Sequence, residues 1–197
     1  MGELPEKSLI LIEEDTGSVK SIYSQYLASD CALGGKNVSI ITSDTPDEIH
    51  KQMDALHIPC PASLHIEETH ATDHSAFLDH LTSVATADLV IVEQFALHFL
   101  DIPLVDFSRD VSRLVSAAKG GRQYLLLVDR GVLPARHEAV LRAMVAGVIQ
   151  ITTVTEGDKT KRYLNIPKMQ GVRLSEKMLP FTVTDEGFLI DTRERHG

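Results

Sequence analysis

Apolar positions along this chain fall into two alternating textures. Short runs dense in Val, Ile and Leu recur as SLILIE (8–13), NVSIIT (37–42), DLVIVE (88–93), QYLLLV (123–128) and GVIQITTV (147–154). They carry little polar alternation, as expected of strands covered on both faces in a parallel sheet. Between them lie stretches with helical spacing. Residues 19–33 place Ile22, Tyr23, Tyr26 and Leu27 on one stripe and stop at Gly34-Gly35. Residues 46–56 follow Thr45, a good N-cap, with Pro46 at the first helical position. Residues 75–84, 108–119 (stopped by Gly120-Gly121) and 134–145 complete the helices. The alternation predicts a doubly wound α/β domain, with a mainly parallel central sheet between helices.

The pattern changes near the C-terminus. KRYLNIPKM, LPFTVT and GFLIDTR are short extended runs separated by turn residues. They predict a small antiparallel meander added to the edge of the parallel sheet. With no internal repeat, low-complexity tract or clear linker, residues 1–197 read as a single domain.

Composition narrows the function classes. The 197 residues are 43% hydrophobic, enough for one well-packed core. No apolar run approaches the roughly 20 residues that span a bilayer. The opening MGELPEKSLI has no basic region before its apolar run, so a cytoplasmic protein without membrane insertion is expected. A net charge of −9 disfavours a nucleic-acid partner, because that affinity comes mainly from Lys and Arg. Cys31 and Cys60 form no metal motif and read as free thiols.

Candidate chemistry centres on LILIEEDTGSVKS (9–21), an apolar run, a polar turn and a Lys-Ser pair opening an amphipathic stretch. A phosphate-binding loop has the form G-x-x-x-x-G-K-[ST]. Aligned on Lys20-Ser21, this chain keeps the Lys, the Ser and a middle Gly17, but has Glu14 and Val19 at the two required glycines. Glycine lets backbone approach a phosphate closely, whereas valine is stiff and avoids unusual backbone angles. Glu13, Glu14 and Asp15 add negative charge to a cradle meant for anions. One carboxylate about 5 Å from a phosphate charge costs about 3 kcal/mol at an effective dielectric near 20. The nucleotide-contacting positions would be Thr16, Gly17, Ser18, Lys20 and Ser21, with no cofactor held tightly and ATP·Mg²⁺ bound weakly.

Histidines crowd residues 50–80: His50, His57, His65, His70, His74 and His80, beside Glu67, Glu68 and Asp73. His70 and His74 would share a face if that segment were helical. No zinc spacing appears, and a polar surface connection is the favoured reading. Asp129-Arg130-Gly131 follows the fourth of the apolar strands and reads as a charged turn; a resemblance to phosphate-loop ATPases, which place a γ-phosphate sensor at that strand end, implies a second reading of equal weight.

Together these segments resemble the KaiC-like branch of the RecA superfamily of ATPases, including archaeal signalling and archaellum (FlaH-type) members. The strongest likeness is VAGVIQITTVTEGDKTKRYLNIPKMQG followed by LPFTVTDEGFLID. It resembles that family's R-x-L-x-I-x-K-M-R-G and F-x-I-x-x-x-G-I-x-I closing segment. LPEKSLILIEEDTGS likewise looks like I-P-x-G-S-x-x-L-I-x-G-E-P-G-S, and the likeness runs from Leu4 to Asp191.

The resemblance implies a RecA-like three-layer fold and assigns positions one by one. Glu93 stands where the family's Walker B aspartate helps hold Mg²⁺, together with Ser21. Ser43-Asp44 stands where the family has two water-activating glutamates, leaving Asp44 as a residual candidate. Lys168-Met169-Gln170 stands where a Lys and an Arg reach the neighbouring subunit's γ-phosphate, so Lys168 is kept and the arginine is not. With the loop glycines also replaced, the resemblance implies a degenerate domain with a regulatory or assembly role. Its partners would be proteins, with a homo-oligomer among the expectations. The alternative reading is a weak ATP-binding switch or slow ATPase using Lys20, Ser21, Asp44 and Glu93.

Overall fold

The computed structural model describes residues 4–15, 17–71, 73–84, 86–172, 178–184 and 187–190. A nine-stranded sheet forms its middle layer: β1 (Leu9–Glu14), β2 (Val38–Thr42), β3 (Leu64–Glu68), β4 (Leu89–Val92), β5 (Gln123–Asp129), β6 (Gly147–Glu156), β7 (Lys159–Met169), β8 (Leu179–Thr184) and β9 (Gly187–Ile190). The spatial order is β3-β2-β4-β5-β1-β6-β7-β8-β9. The first six in that order are parallel to one another, and β7, β8 and β9 continue antiparallel from β6. The α/β class and the C-terminal antiparallel extension therefore stand as expected.

Five helices cover the sheet: α1 (Val19–Leu33), α2 (Pro46–Ala55), α3 (His74–Ser83), α4 (Leu104–Lys119) and α5 (Ala135–Met144). Strand alternation feeds two cores. Leu9 and Leu11 join Phe77, Phe99, Phe107 and Leu141 beneath α3, α4 and α5. Ile10 and Ile12 join Tyr23, Ala28, Ile49 and Met53 beneath α1 and α2. Thr45 caps α2 as expected, and Glu48 closes a capping box with it that the sequence reading did not include. Gly35, at φ 91, turns the chain out of α1 where a side chain would be strained.

Two elements depart from the sequence reading. The histidine-rich segment contains strand β3, at the outer edge of the sheet beside β2, where a polar connection was expected. In its sequence LHIEE, Leu64 and Ile66 face one way and His65 and Glu67 the other, the pattern of a strand covered on one side. A 3-10 helix, Phe95–Phe99, follows β4 and sends Phe95 and Phe99 into the core. Asp191–Arg193, expected as the end of the last strand, lie outside the described residues.

Candidate functional site

The parallel order puts β1 in the middle of the sheet, flanked by β5 and β6. Its C-terminal end opens through a short turn into α1, so Lys20 lies in the first turn of a helix at a central strand edge. Thr16 lies outside the described residues. Glu13 and Glu14 belong to the strand rather than to the loop, which corrects the expectation that three acids share the cradle. Alternation along β1 sends them to opposite faces. Glu13 follows Leu9 and Leu11 to the α5 side, and Glu14 follows Ile10 and Ile12 to the α1 side. Asp15 points outward and pairs with Arg130 at 3.0 Å.

Glu14 therefore stands alone inside the turn. Its Oε2 accepts the backbone N–H of Lys20 at 3.0 Å, and the Val19 N–H also donates to it. A side chain on Gly17 would meet Glu14 Oε1 at 2.9 Å, so Gly17 lies close against the carboxylate. Ser18, the residue at the helix N-cap, makes no side-chain cap bond; the Glu14 carboxylate supplies the acceptor and the negative charge that this helix end favours. Burial raises the Glu14 carboxyl above its ordinary value, against the lowering effect of the Lys20 N–H and the Lys20 charge. Val19 opens α1 as a helical residue, so its backbone does not misdirect the donors. The Lys20 side chain, itself buried, donates to the Gly17 carbonyl at 2.8 Å and to Asp129 Oδ1 at 2.6 Å.

No family model matches the sequence, and no curated protein matches it. Among solved structures, the flagellar accessory protein FlaH from Methanocaldococcus jannaschii superposes with a TM-score of 0.82 at 19% identity, over 96% of this chain and 92% of that one. The KaiC-like protein PH0186 from Pyrococcus horikoshii OT3 superposes with a TM-score of 0.78 at 17% identity, over the same shares, 96% and 92%. The fold is that of FlaH and the KaiC-like proteins.

Within this FlaH- and KaiC-like fold, residues from four strand ends converge beside Lys20. Glu93 directly follows β4, and its carboxylate takes hydrogen bonds from the hydroxyls of Thr42, at the end of β2, and Ser21, on α1. Burial pushes the Glu93 carboxyl up, and nearby Asp44 adds to the rise. Its Oε1 is buried with no hydrogen-bond partner. Asp44 is half-buried, while Ser43 is exposed. Ser21 and Glu93 are thus brought together, with Asp44 nearby. Asp129, weighed equally as a turn or a sensor, ends β5 between β1 and β4 and binds Lys20 directly.

Lys168 sits on β7, paired in register with Val148 near the start of β6. Its ammonium donates to the carbonyls of Arg142 at 2.9 Å and Ala143 at 2.8 Å, at the end of α5. It is half-buried, with its ammonium engaged inside the chain. The structure brings Lys20, Ser21 and Glu93 together and places Lys168 elsewhere, on β7.

A polar network that the sequence reading missed lies on the α5 side of β1. The buried Glu13 carboxylate binds Arg142 Nε at 2.9 Å and Gln150 Nε2 at 2.7 Å. Asn165 supports Gln150 at 3.0 Å, and Arg142 also reaches Glu138 at 3.1 Å. Glu13, directly after the apolar run LILI, was the available signal: such a carboxylate has to meet a cation or donors inside the fold.

The histidines do not converge. His70 precedes α3 and His74 begins it, so the two share no helix face. Each pairs with a different acid: His70 with Glu68, His74 with Asp110 and His80 with Glu67, at 3.6, 3.8 and 3.5 Å. Among the described residues, no group of three or more His, Cys, Asp or Glu side chains is placed to hold a metal ion. Nor is any helix of the described residues long and apolar enough to cross a membrane.

Proposed function

We propose that this chain is a RecA-like domain that does not hydrolyse ATP and serves as a regulatory or assembly component of a multiprotein complex of the archaeal motility or signal-transduction type. The observation that carries the inactive reading is the Glu14 carboxylate bonded to the helix N-terminus inside the turn. As they stand, the loop residues do not fit a triphosphate. The donors that would receive phosphate oxygens already hold an anion, and the Lys20 ammonium is engaged by Asp129. Ser43 and Gln170, at the positions matched to a water-activating carboxylate and a trans arginine, cannot supply those functions. The complex-forming role is supported by the likeness to a protein described as a flagellar accessory protein.

A second reading, a weak ATP-binding switch, is favoured by the convergence of Ser21, Glu93 and Asp44 and by the unpartnered Glu93 Oε1. Calorimetric titration with ATP·Mg²⁺, run beside a phosphate-release assay, separates the two. The inactive reading expects a dissociation constant no tighter than about 100 μM, roughly −5.5 kcal/mol, and no turnover. Binding in the low micromolar range would promote the switch.

A further inference from the structure

We propose that Glu14 and Asp129 form a built-in anion lock: they occupy the Lys20 backbone N–H and the Lys20 ammonium, the groups a phosphate would use, and so exclude external phosphate. The inference rests on the inactive reading and extends it, because it says what replaces the ligand. A phosphate loop binds through two elements, backbone N–H groups at a helix N-terminus and a lysine ammonium. Here each meets a different carboxylate of the chain itself. The Lys20 N–H meets Glu14 at 3.0 Å, and the Lys20 Nζ meets Asp129 at 2.6 Å.

The two acids arrive from neighbouring strands by register. Glu14 and Asp129 are paired positions on β1 and β5, and the Arg130 N–H binds the Glu14 carbonyl at 2.8 Å. One carboxylate is thereby presented to the backbone and the other to the ammonium at a single strand edge. Glu14 is buried at 3% exposure and Lys20 at 5%, so the Glu14 contact lies beneath the surface, while Asp129 meets the ammonium from a half-buried position. Gly17 lies close against the Glu14 carboxylate, since a Cβ there would press on Glu14 Oε1. The donors remain properly aimed, because Val19 and Lys20 are helical. What keeps an outside anion away is occupancy and charge, and both are removable.

The lock predicts that an anion site appears when the acids are neutralised. Inorganic pyrophosphate is titrated by calorimetry at fixed ionic strength into the unmodified protein, Glu14→Ala, Asp129→Asn and the double variant. The double variant is expected to bind at least about tenfold more tightly than the unmodified protein, with each single variant gaining less. Folding of each variant is checked by circular dichroism and melting. A folded double variant with no gain overturns the lock.

A second measurement needs no cavity-forming variant. In amide nitrogen–proton NMR spectra of the unmodified protein, the Lys20 amide is expected to shift as pH carries Glu14 through its titration, and Glu14→Gln is expected to abolish that shift. A Lys20 amide indifferent to Glu14→Gln overturns the lock independently. Failure of the pyrophosphate arm alone leaves the inactive reading standing, since the Glu14–Lys20 contact on which that reading rests is read separately by the amide shift. That reading falls instead if the unmodified protein binds ATP·Mg²⁺ at low micromolar concentration and releases phosphate.

Discussion

Lys20 and Asp129 stand 109 positions apart in sequence, yet Nζ of one lies 2.6 Å from Oδ1 of the other at the shared edge of β1 and β5. The lysine that a phosphate loop offers to its ligand is thus held by the fold itself. In a double-mutant cycle of Lys20→Met and Asp129→Asn, chemical denaturation is expected to show a coupling of about 1–2 kcal/mol. Additive single effects would mean that the pair contributes no interaction of its own.

Glu13 and Arg142 supply a test on the other face of β1. The Glu13 side chain is 2% exposed and its carboxylate depends on Arg142 and Gln150. Arg142→Leu leaves that charge buried without its cation, and a loss of about 3 kcal/mol in unfolding free energy is expected. Adding Glu13→Leu removes the stranded charge and should recover most of the loss. A double variant no better than Arg142→Leu alone would show that the network, rather than the ion pair, carries the stability.

Glu93 predicts a pH dependence of definite sign. Burial raises its carboxyl above 4.5, so between 4.5 and the raised value the folded chain binds more protons than the unfolded chain. The stabilisation from this group is therefore complete below about 4.5 and is lost as pH rises through the folded value. Glu14 and Asp110, also raised chiefly by burial, act in the same direction. Glu93→Gln retains an acceptor for Ser21 and Thr42 but carries no charge. It is expected to melt higher than the unmodified protein at pH 7, with the gap closing on acidification. Parallel melting curves across pH 4–7 would refute the assignment.

Lys168 donates to two carbonyls at the end of α5, where a cation also favours the helix dipole. Lys168→Ala is expected to lower stability by about 1 kcal/mol. Sedimentation measurements on the same variant address the role that the family resemblance implies. An unchanged molecular mass would mark Lys168 as a helix-capping residue, and dissociation of an oligomer would mark it as an interface residue.

Much of this architecture is local and was readable along the chain. Runs such as LILI and YLLLV are apolar at every position, and only strands sandwiched between helix layers bury both faces. Thr45-Pro46 and Gly34-Gly35 mark helix ends because their chemistry suits a cap or a left-handed turn wherever they occur. The strand-turn-helix with Lys20 at its exit was legible for the same reason. Strand β3 was harder to see, since an edge strand covered on one face needs only Leu64 and Ile66 to be apolar.

The identity of each acid's partner was settled only in three dimensions. Glu13, Glu14 and Asp15 are one charged run in sequence, but strand alternation sends the first to Arg142 and the second to the Lys20 amide, while the third meets Arg130. Asp129 reaches Lys20 because β5 is inserted between β1 and β4, an order that the sequence pattern does not specify. Local preference decides which residues form strands and helices; the order and register of the strands decide which charges meet, because those contacts span more than a hundred residues of chain.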